Sequence, residues 1–148
     1  MPFSDTYSNN ILNWAIGRSS SLTAHSKVYI GLCSNDPEEE GKEGTFNELS
    51  GNGYARVLIH QYNQEYPGLM GTASSRKVKN TKQIAFNKAS GNWAQVKGFG
   101  LFTAEQGGTP FYYAKLKNPV DTANGAVFLF DPEQLQIGFQ KTDVEMPE

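Results

Sequence analysis

Cys33, His25 and His60 are the residues of this chain that could pair as a thiol nucleophile and an imidazole base. A cysteine nucleophile reacts as the thiolate, so it needs surroundings that lower its pKa. Cys33 instead lies in the apolar run 28–34, where we expect a small buried hydrophobic residue. His25 stands beside Ser26, but no acid lies nearby in sequence to orient the ring. We therefore expect His25 to be a surface residue without a catalytic role.

Carboxylates offer two other kinds of chemistry. The acidic segment Glu38–Glu43 could bind calcium, but it lacks the alternating oxygen ligands and the positioned glycine of an EF-hand loop. We interpret it as a solvated loop. Two catalytic carboxylates of a glycoside hydrolase could converge from distant strands, yet the acids of this chain cluster in loops and at the termini. The pattern favours a protein that is not an enzyme and binds no metal or cofactor.

Aromatic side chains could stack on sugar rings, and Trp93, Tyr112 and Tyr113 are the candidate glycan contacts. Tyr112 and Tyr113 are neighbours in a predicted strand, so they point to opposite faces and at least one of them points inward. Trp93 precedes a strand and could close one end of the fold. Structural packing is the favoured interpretation of each ring, with glycan binding as the alternative.

Short runs of β-branched and aromatic residues carry these side chains, and turns rich in Gly, Asn, Asp or Pro separate the runs. Such a pattern predicts strands of an antiparallel sheet protein. The predicted strands are VYIGLCS from Val28, YARVLIH from Tyr54, KQIAF from Lys82, QVKGFGLF from Gln95, FYYAKL from Phe111, AVFLF from Ala126 and LQIGF from Leu135. The sequence therefore predicts a mainly β fold, an antiparallel, jelly-roll-like β-sandwich.

Three details of these strands lead to specific expectations. Gly98 and Gly100 predict that a ring or another backbone segment approaches the sheet closely there. Alternation from Tyr54 onward places Arg56 outward, available to a carboxylate across the sheet. The pair Asn118-Pro119 predicts the end of the strand that begins at Phe111.

The first segment predicts one short N-terminal α-helix, capped by Ser4 or Asp5 and ended by Gly17. Its narrow apolar stripe must dock either on its own domain, which we favour, or on another subunit. The stripe supplies three possible subunit contacts, Tyr7, Ile11 and Trp14. A length of 148 residues favours a single domain over 1–148: a helix over 1–17, a sandwich over 18–140 and a polar tail over 141–148.

The segment 61–80 has no clean periodicity, and long irregular loops in compact domains tend to be functional or ordered by a partner. Its apolar residues are further possible subunit contacts: Tyr62, Tyr66, Leu69 and Met70. A fold of the loop onto its own sheet is the alternative. A basic cluster starts within the same segment and continues past its end: Arg76, Lys77, Lys79 and Lys82. We interpret the cluster as a solvated or partner-facing loop, not as a phosphate site.

Charge and composition exclude several classes of protein. A formal net charge of -2 argues against a nucleic-acid-binding protein, which would carry a basic face. No apolar run approaches the length of a membrane-spanning helix, and the first residues do not resemble a signal peptide. With one cysteine there is no intrachain disulfide. We expect a soluble protein made in a reducing cytoplasm.

An ordered series of short motifs resembles a known family. VYIGLCSNDPEEEG followed by FNELSGNGYARVLI resembles the amino half of small tail-fibre-like or virion structural proteins of tailed bacteriophages. KQIAFNKASGNWAQVKGFGLFTAEQGGTPFYYAKL resembles their apolar strand, Trp, Gly-Phe-Gly strand, Gly-Gly turn and aromatic strand, and AVFLFDPEQLQIGF resembles the closing pair. The resemblance covers residues 11–139.

The resemblance implies a virion component with a β-sandwich core and carries no catalytic residues. The protein would be a tail-fibre-like, baseplate or capsid-decorating part, assembled in the host bacterial cytoplasm. Its partners would be other virion proteins and further copies of itself, present as a homo-oligomer or in many copies per particle. The alternative is a module of the phage adsorption apparatus that binds a glycan on the host surface.

Overall fold

The computed structural model describes residues 3–139, so the predicted polar tail over 141–148 lies outside the described residues. The elements, in chain order, are α1 (Asp5–Ala15), β1 (Lys27–Cys33), β2 (Val57–Gln61), β3 (Lys77–Lys79), β4 (Ile84–Ala85), β5 (Val96–Phe102), β6 (Tyr112–Val120), β7 (Leu129–Phe130) and β8 (Gln136–Gly138). Within residues 3–139, no helix is both long and apolar enough to cross a lipid bilayer.

The strands form one larger sheet and two strand pairs. The central sheet has four antiparallel strands in the order β2-β1-β5-β6, and the pairs are β3-β8 and β4-β7, which are also antiparallel. A shared hydrophobic core joins the central sheet to the two pairs. This arrangement confirms the predicted mainly β fold with one short N-terminal helix, and its two layers agree with a sandwich.

The core lies on the inner face of the central sheet. Ile30 and Leu32 of β1 stand opposite Leu101 and Phe99 of β5, because alternate residues of paired strands share a face. All four are buried, and they belong to one cluster with residues of the second layer. The second layer contributes Ile84, Phe86, Phe128, Phe130 and Leu135. Burial of each such side chain stabilises the fold by about 1.5–3 kcal/mol.

The outer face of the central sheet is covered by residues 34–56, called here the covering segment. Glycines line this face, and they leave room for the covering segment to approach. A Cβ atom on Gly98 would lie 2.6 Å from Pro37 Cδ, and one on Gly100 would lie 2.8 Å from Phe46 Cε2. The close approach predicted at Gly98 and Gly100 is thus confirmed.

A buried ion pair fastens the end of the covering segment. The Arg56 side chain is 3% exposed, and it donates from Nε and Nη2 to the two Glu48 carboxylate oxygens at 2.7 and 2.8 Å. Its guanidinium carbon lies 3.4 Å from the centre of the Phe102 ring. Arg56 does bind a carboxylate, as expected, but the expectation of an outward Arg56 in a strand was wrong, because β2 begins only at Val57 and Arg56 belongs to the covering segment.

Tyr54 connects this ion pair to the central sheet. Its hydroxyl donates to Glu48 Oε2 at 2.7 Å and accepts from the backbone N–H of Leu32 at 2.9 Å. Burial, followed by the hydrogen bond to Glu48, raises the pKa of the Tyr54 hydroxyl. The phenol therefore remains a donor to Glu48 under ordinary conditions.

Strand β6 extends past the predicted stop at Asn118-Pro119 and ends at Val120. Proline lacks a backbone N–H and is tolerated in a sheet at an edge strand. Because β6 is the last strand of the central sheet, Pro119 fits there.

The outer side of the β6 edge is partly occupied by other segments. The backbone of Phe3 bridges Tyr112, and the N–H of Ser4 donates to the Phe111 carbonyl at 2.9 Å. Farther along, the N–H of Lys115 donates to a Glu38 carboxylate oxygen at 2.9 Å. The first half of this edge is thus bonded within the chain.

Candidate interaction surfaces

Helix α1 begins and ends where local sequence signals place its ends. Ser4 is the N-cap, and its Oγ accepts a hydrogen bond from the N–H of Tyr7 at 3.2 Å. The helix runs to Ala15, and Gly17 follows with φ +83°, a conformation that glycine adopts without a steric penalty. The predicted helix ends are confirmed.

The first half of α1 and the residue Phe3, which precedes the helix, dock on the start of β6 through aromatic rings. Phe3 meets Tyr112 edge-on with ring centres 4.8 Å apart. The Tyr7 ring lies 5.3 Å from both His25 and Phe111, measured between ring centres. Tyr7 and Ile11, two of the predicted contacts, are only half-buried by this docking.

The second half of α1 projects its apolar residues into solvent. No residue of the helix is buried, and the exposed fractions are 60% for Leu12, 50% for Trp14 and 71% for Ile16, which caps the helix. Sequence reasoning named Trp14 but missed Leu12 and Ile16. Their i, i+4 spacing places them on one side of the helix and could have revealed them.

The four predicted contacts in the segment 61–80 fall into two groups by their exposure. Tyr62 and Tyr66 are 58% and 74% exposed, whereas Leu69 and Met70 pack against the hydrophobic core. The segment also contains β3, so the expectation of a stretch without regular structure was wrong. The reason is pairing with β8, which no local pattern near β3 reveals.

The three candidate glycan contacts lie inside the fold. Trp93 is 8% exposed, Tyr112 3% and Tyr113 6%. Trp93 Nε1 donates to the carbonyl of Asn52 at 2.9 Å, and the Tyr112 hydroxyl donates to the carbonyl of Gly138 at 3.3 Å. In this fold none of the three rings presents an open face on which a sugar could stack.

The residues proposed for nucleophilic chemistry do not converge on a reactive centre. Cys33 is fully buried, and its Sγ donates to the carbonyl of Asn35 at 3.2 Å. Burial raises the pKa of the Cys33 thiol to about 12, so the thiol stays protonated at neutral pH.

His25 is half-buried, which corrects the expectation of a surface histidine. The cause is the docked helix, because the imidazole lies 4.4 Å from the Phe111 ring centre and also contacts Tyr7. Its Nε2 is buried without a hydrogen-bond partner among the described residues. Burial lowers the pKa of His25.

The acidic segment serves the fold through Glu38, whose carboxylate accepts the N–H of Lys115. Over residues 3–139, His, Cys, Asp and Glu side chains do not gather in a group of three that could hold a metal ion. Among the described residues, the exposed apolar side chains of α1 and of the segment 61–80 are the candidate contact surfaces.

The sequence matches, over residues 2–138, the model of a protein family described as podophage GP4 fiber I protein gp80. No curated protein matches the chain. The family match spans nearly the whole sequence and agrees with the resemblance to tail-fibre-like proteins that the strand motifs carry. The chain belongs to this family of podophage fibre proteins.

Proposed function

We propose that this phage fibre protein is a non-enzymatic structural part of the virion that attaches to a neighbouring subunit through the second half of helix α1. The observation that carries the proposal is the exposure of Leu12, Trp14 and Ile16 on a helix that buries none of its residues. Leu12 and Ile16 share one side of α1 and Trp14 lies on another, so the proposed subunit would have to wrap around this half of the helix to cover all three.

Membership of a fibre protein family supports a virion protein as the partner that covers the second half of α1. Exposed tryptophans at the centre of an interface commonly supply much of its binding free energy. In this proposal residues 3–139 act as one domain, Tyr62 and Tyr66 form a second contact, and several copies assemble in the host cytoplasm.

A variant of Trp14 tests the proposal. We expect Trp14→Ser to fold with a Tm close to that of the natural chain, because surface changes usually alter the free energy of unfolding by about 0.5 kcal/mol or less. Loss of a tryptophan anchor of about 2 kcal/mol would reduce binding roughly 30-fold. Phage particles complemented with the variant should therefore carry far fewer fibre copies, measured by quantitative mass spectrometry of purified particles.

Val127→Ser is the matched control, since Val127 is 44% exposed but lies far along the chain near β7. Particles with this variant should contain fibre at the natural level. If Trp14→Ser particles contain as much fibre as Val127→Ser particles, the second half of α1 is not the attachment surface.

A further inference from the structure

A groove of about 900 Å³, called here the β6–β7 groove, separates β6 from β7. The two strands follow each other along the chain, but β6 belongs to the central sheet and β7 pairs with β4, and no strand pairing joins them in the described part of the chain. Core residues from both layers line the groove: Phe99, Phe128, Phe130 and Leu135. Val120, on the β6 wall, is 38% exposed. The sandwich is therefore open along this side.

The backbone of β7 and of the residues before it has a free edge on the groove side. The N–H of Phe86 donates to the Phe128 carbonyl at 2.9 Å, so the polar backbone groups of Phe128 point toward β4. Backbone groups of consecutive strand residues point to opposite sides, so those of Val127 and Leu129 point toward the groove. Neither residue makes a backbone hydrogen bond with the described residues. An edge of this kind accepts an added strand.

The opposite wall of the groove limits what can be added there. An extended chain beside residues 126–130 spans five residues, or about 17 Å. Its other edge would face β6, where Pro119 lacks a backbone N–H. The added strand would therefore take its hydrogen bonds from β7 and meet β6 through side chains.

The two faces of an added strand would meet different surroundings, because alternate side chains point to opposite faces. One set would point between the layers onto the core cluster and should be apolar. The other set would lie beside Lys117, whose amine makes no hydrogen bond or ion pair with the described residues. Lys115 adds a second positive charge, and Asp121 is the one carboxylate of the lining, already bonded to Gln95 Nε2 at 3.3 Å. The excess of positive charge favours acidic residues in this second set.

We propose that the β6–β7 groove binds an extended segment of a neighbouring virion protein, in which apolar residues alternate with acidic ones. The segment adds to β7 as a strand, pairs with the backbone of Val127 and Leu129, and places its carboxylates near Lys117. A polymer without a peptide backbone cannot match the row of N–H and C=O groups, so the occupant is a peptide. This inference goes beyond attachment through α1 and does not depend on it.

Fluorescence anisotropy with the full chain and a labelled peptide, acetyl-EVEVEVE-amide, tests the proposal. We expect the peptide to bind. Two further probes carry N-methyl groups either on every valine or on every glutamate, so that each lacks the N–H groups of one edge. Only one of the two should lose binding, because the strand pairs with β7 through a single edge.

Charge reversal in the protein tests the second set of side chains. Lys117→Glu should weaken binding of acetyl-EVEVEVE-amide about fivefold. Lys27→Glu is the matched control, since Lys27 is exposed at the start of β1 and lies outside the groove. This control should weaken binding no more than about twofold.

Four results would overturn the assignment. Absence of peptide binding is the first, and an equal effect of the two N-methylated probes, which would exclude pairing through one edge, is the second. The third is an equal loss in Lys117→Glu and Lys27→Glu, which would indicate general attraction between charges. The fourth is a dimer of the chain alone, seen by sedimentation and abolished by Lys117→Glu, which would assign the groove to a second copy.

Hydrogen exchange gives a direct readout of the pairing. The Leu129 amide should exchange more slowly in the complex with acetyl-EVEVEVE-amide than in the chain alone, and an unchanged rate would contradict strand addition. Trp14→Ser should bind this peptide as tightly as the natural chain, so a failure of the groove is distinguishable from a failure of the α1 surface. Val127→Ser should also bind it normally, because the change keeps the backbone and the Val127 side chain points to the face opposite that of Phe128.

Discussion

The covering segment and helix α1 both pack on the central sheet, but they attach in different ways. The covering segment inserts side chains against glycines and ends in a buried, bidentate ion pair between Glu48 and Arg56. Helix α1 touches the sheet through a few rings and buries none of its own residues. The comparison shows that the covering segment is held by close packing and a buried ion pair, whereas the docking of α1 leaves apolar side chains of the helix exposed.

The largest expected effect comes from breaking the ion pair of the covering segment. Glu48→Ala leaves the Arg56 guanidinium, 3% exposed, without its carboxylate, and an unpaired buried charge of this kind costs about 3 kcal/mol or more. Urea unfolding should show the loss as a lower midpoint. Lys42→Ala is the control, because Lys42 and Glu39 form an exposed pair that contributes about 0.5 kcal/mol or less.

A smaller loss of folding stability is expected when a side chain fills the space under the covering segment. In Gly98→Ala the new methyl would lie 2.6 Å from Pro37 Cδ and 2.8 Å from the Ala114 carbonyl oxygen, so the segment must shift. Such overpacking destabilises by about 2 kcal/mol. A double-mutant cycle with Pro37→Ala should recover part of this loss. If Gly98→Ala unfolds at the same urea concentration as the natural chain, the contact between Gly98 and Pro37 is not tight.

The smallest effect is a pH dependence confined to helix α1. Burial between Tyr7 and Phe111 lowers the pKa of His25 below its ordinary value, so the folded state favours the neutral ring. The unfolded chain takes up the proton at about pH 6.5. The stability of this contact is therefore complete above that pH and falls as the pH drops below it toward the lowered pKa.

Hydrogen exchange measures this effect. Amides of α1 should lose protection between about pH 7 and pH 5, after correction for intrinsic exchange rates, while amides of β1 and β5 keep theirs. His25→Leu should abolish the pH dependence, and His60→Gln should preserve it because His60 is exposed. Equal loss of protection in α1 and β1 would show that helix and sheet open as one unit.

The sequence predicted the fold best where local pattern and burial coincide. β5 begins one residue after its predicted start, and the Ser4 cap and Gly17 stop of the helix are correct. Alternation failed at Arg56, because the covering segment buries residues that a strand would expose. It also failed to predict that Tyr112 and Tyr113 would both be buried, since both faces of β6 are covered there.

The candidate surfaces were harder to predict for the same physical reason. Whether an apolar residue is buried depends on what the rest of the chain places over it. Leu69 and Met70 pack on the core, whereas Tyr62 and Tyr66 in the same segment do not. Ser75 and Arg76 adopt positive φ angles in the two-residue turn that the pairing of Ser74 with Lys77 closes, and periodicity does not encode that pairing.

The occupied edge of β6 has a consequence for how a fibre can grow. An open edge strand templates the addition of further strands, and chains that stack in this way polymerise without a defined end. Here the Phe3 backbone and the Glu38 carboxylate take the first half of that edge, and Pro119 offers no N–H in the second. These groups therefore disfavour the addition of a further strand along β6, whether it comes from this chain or from another molecule.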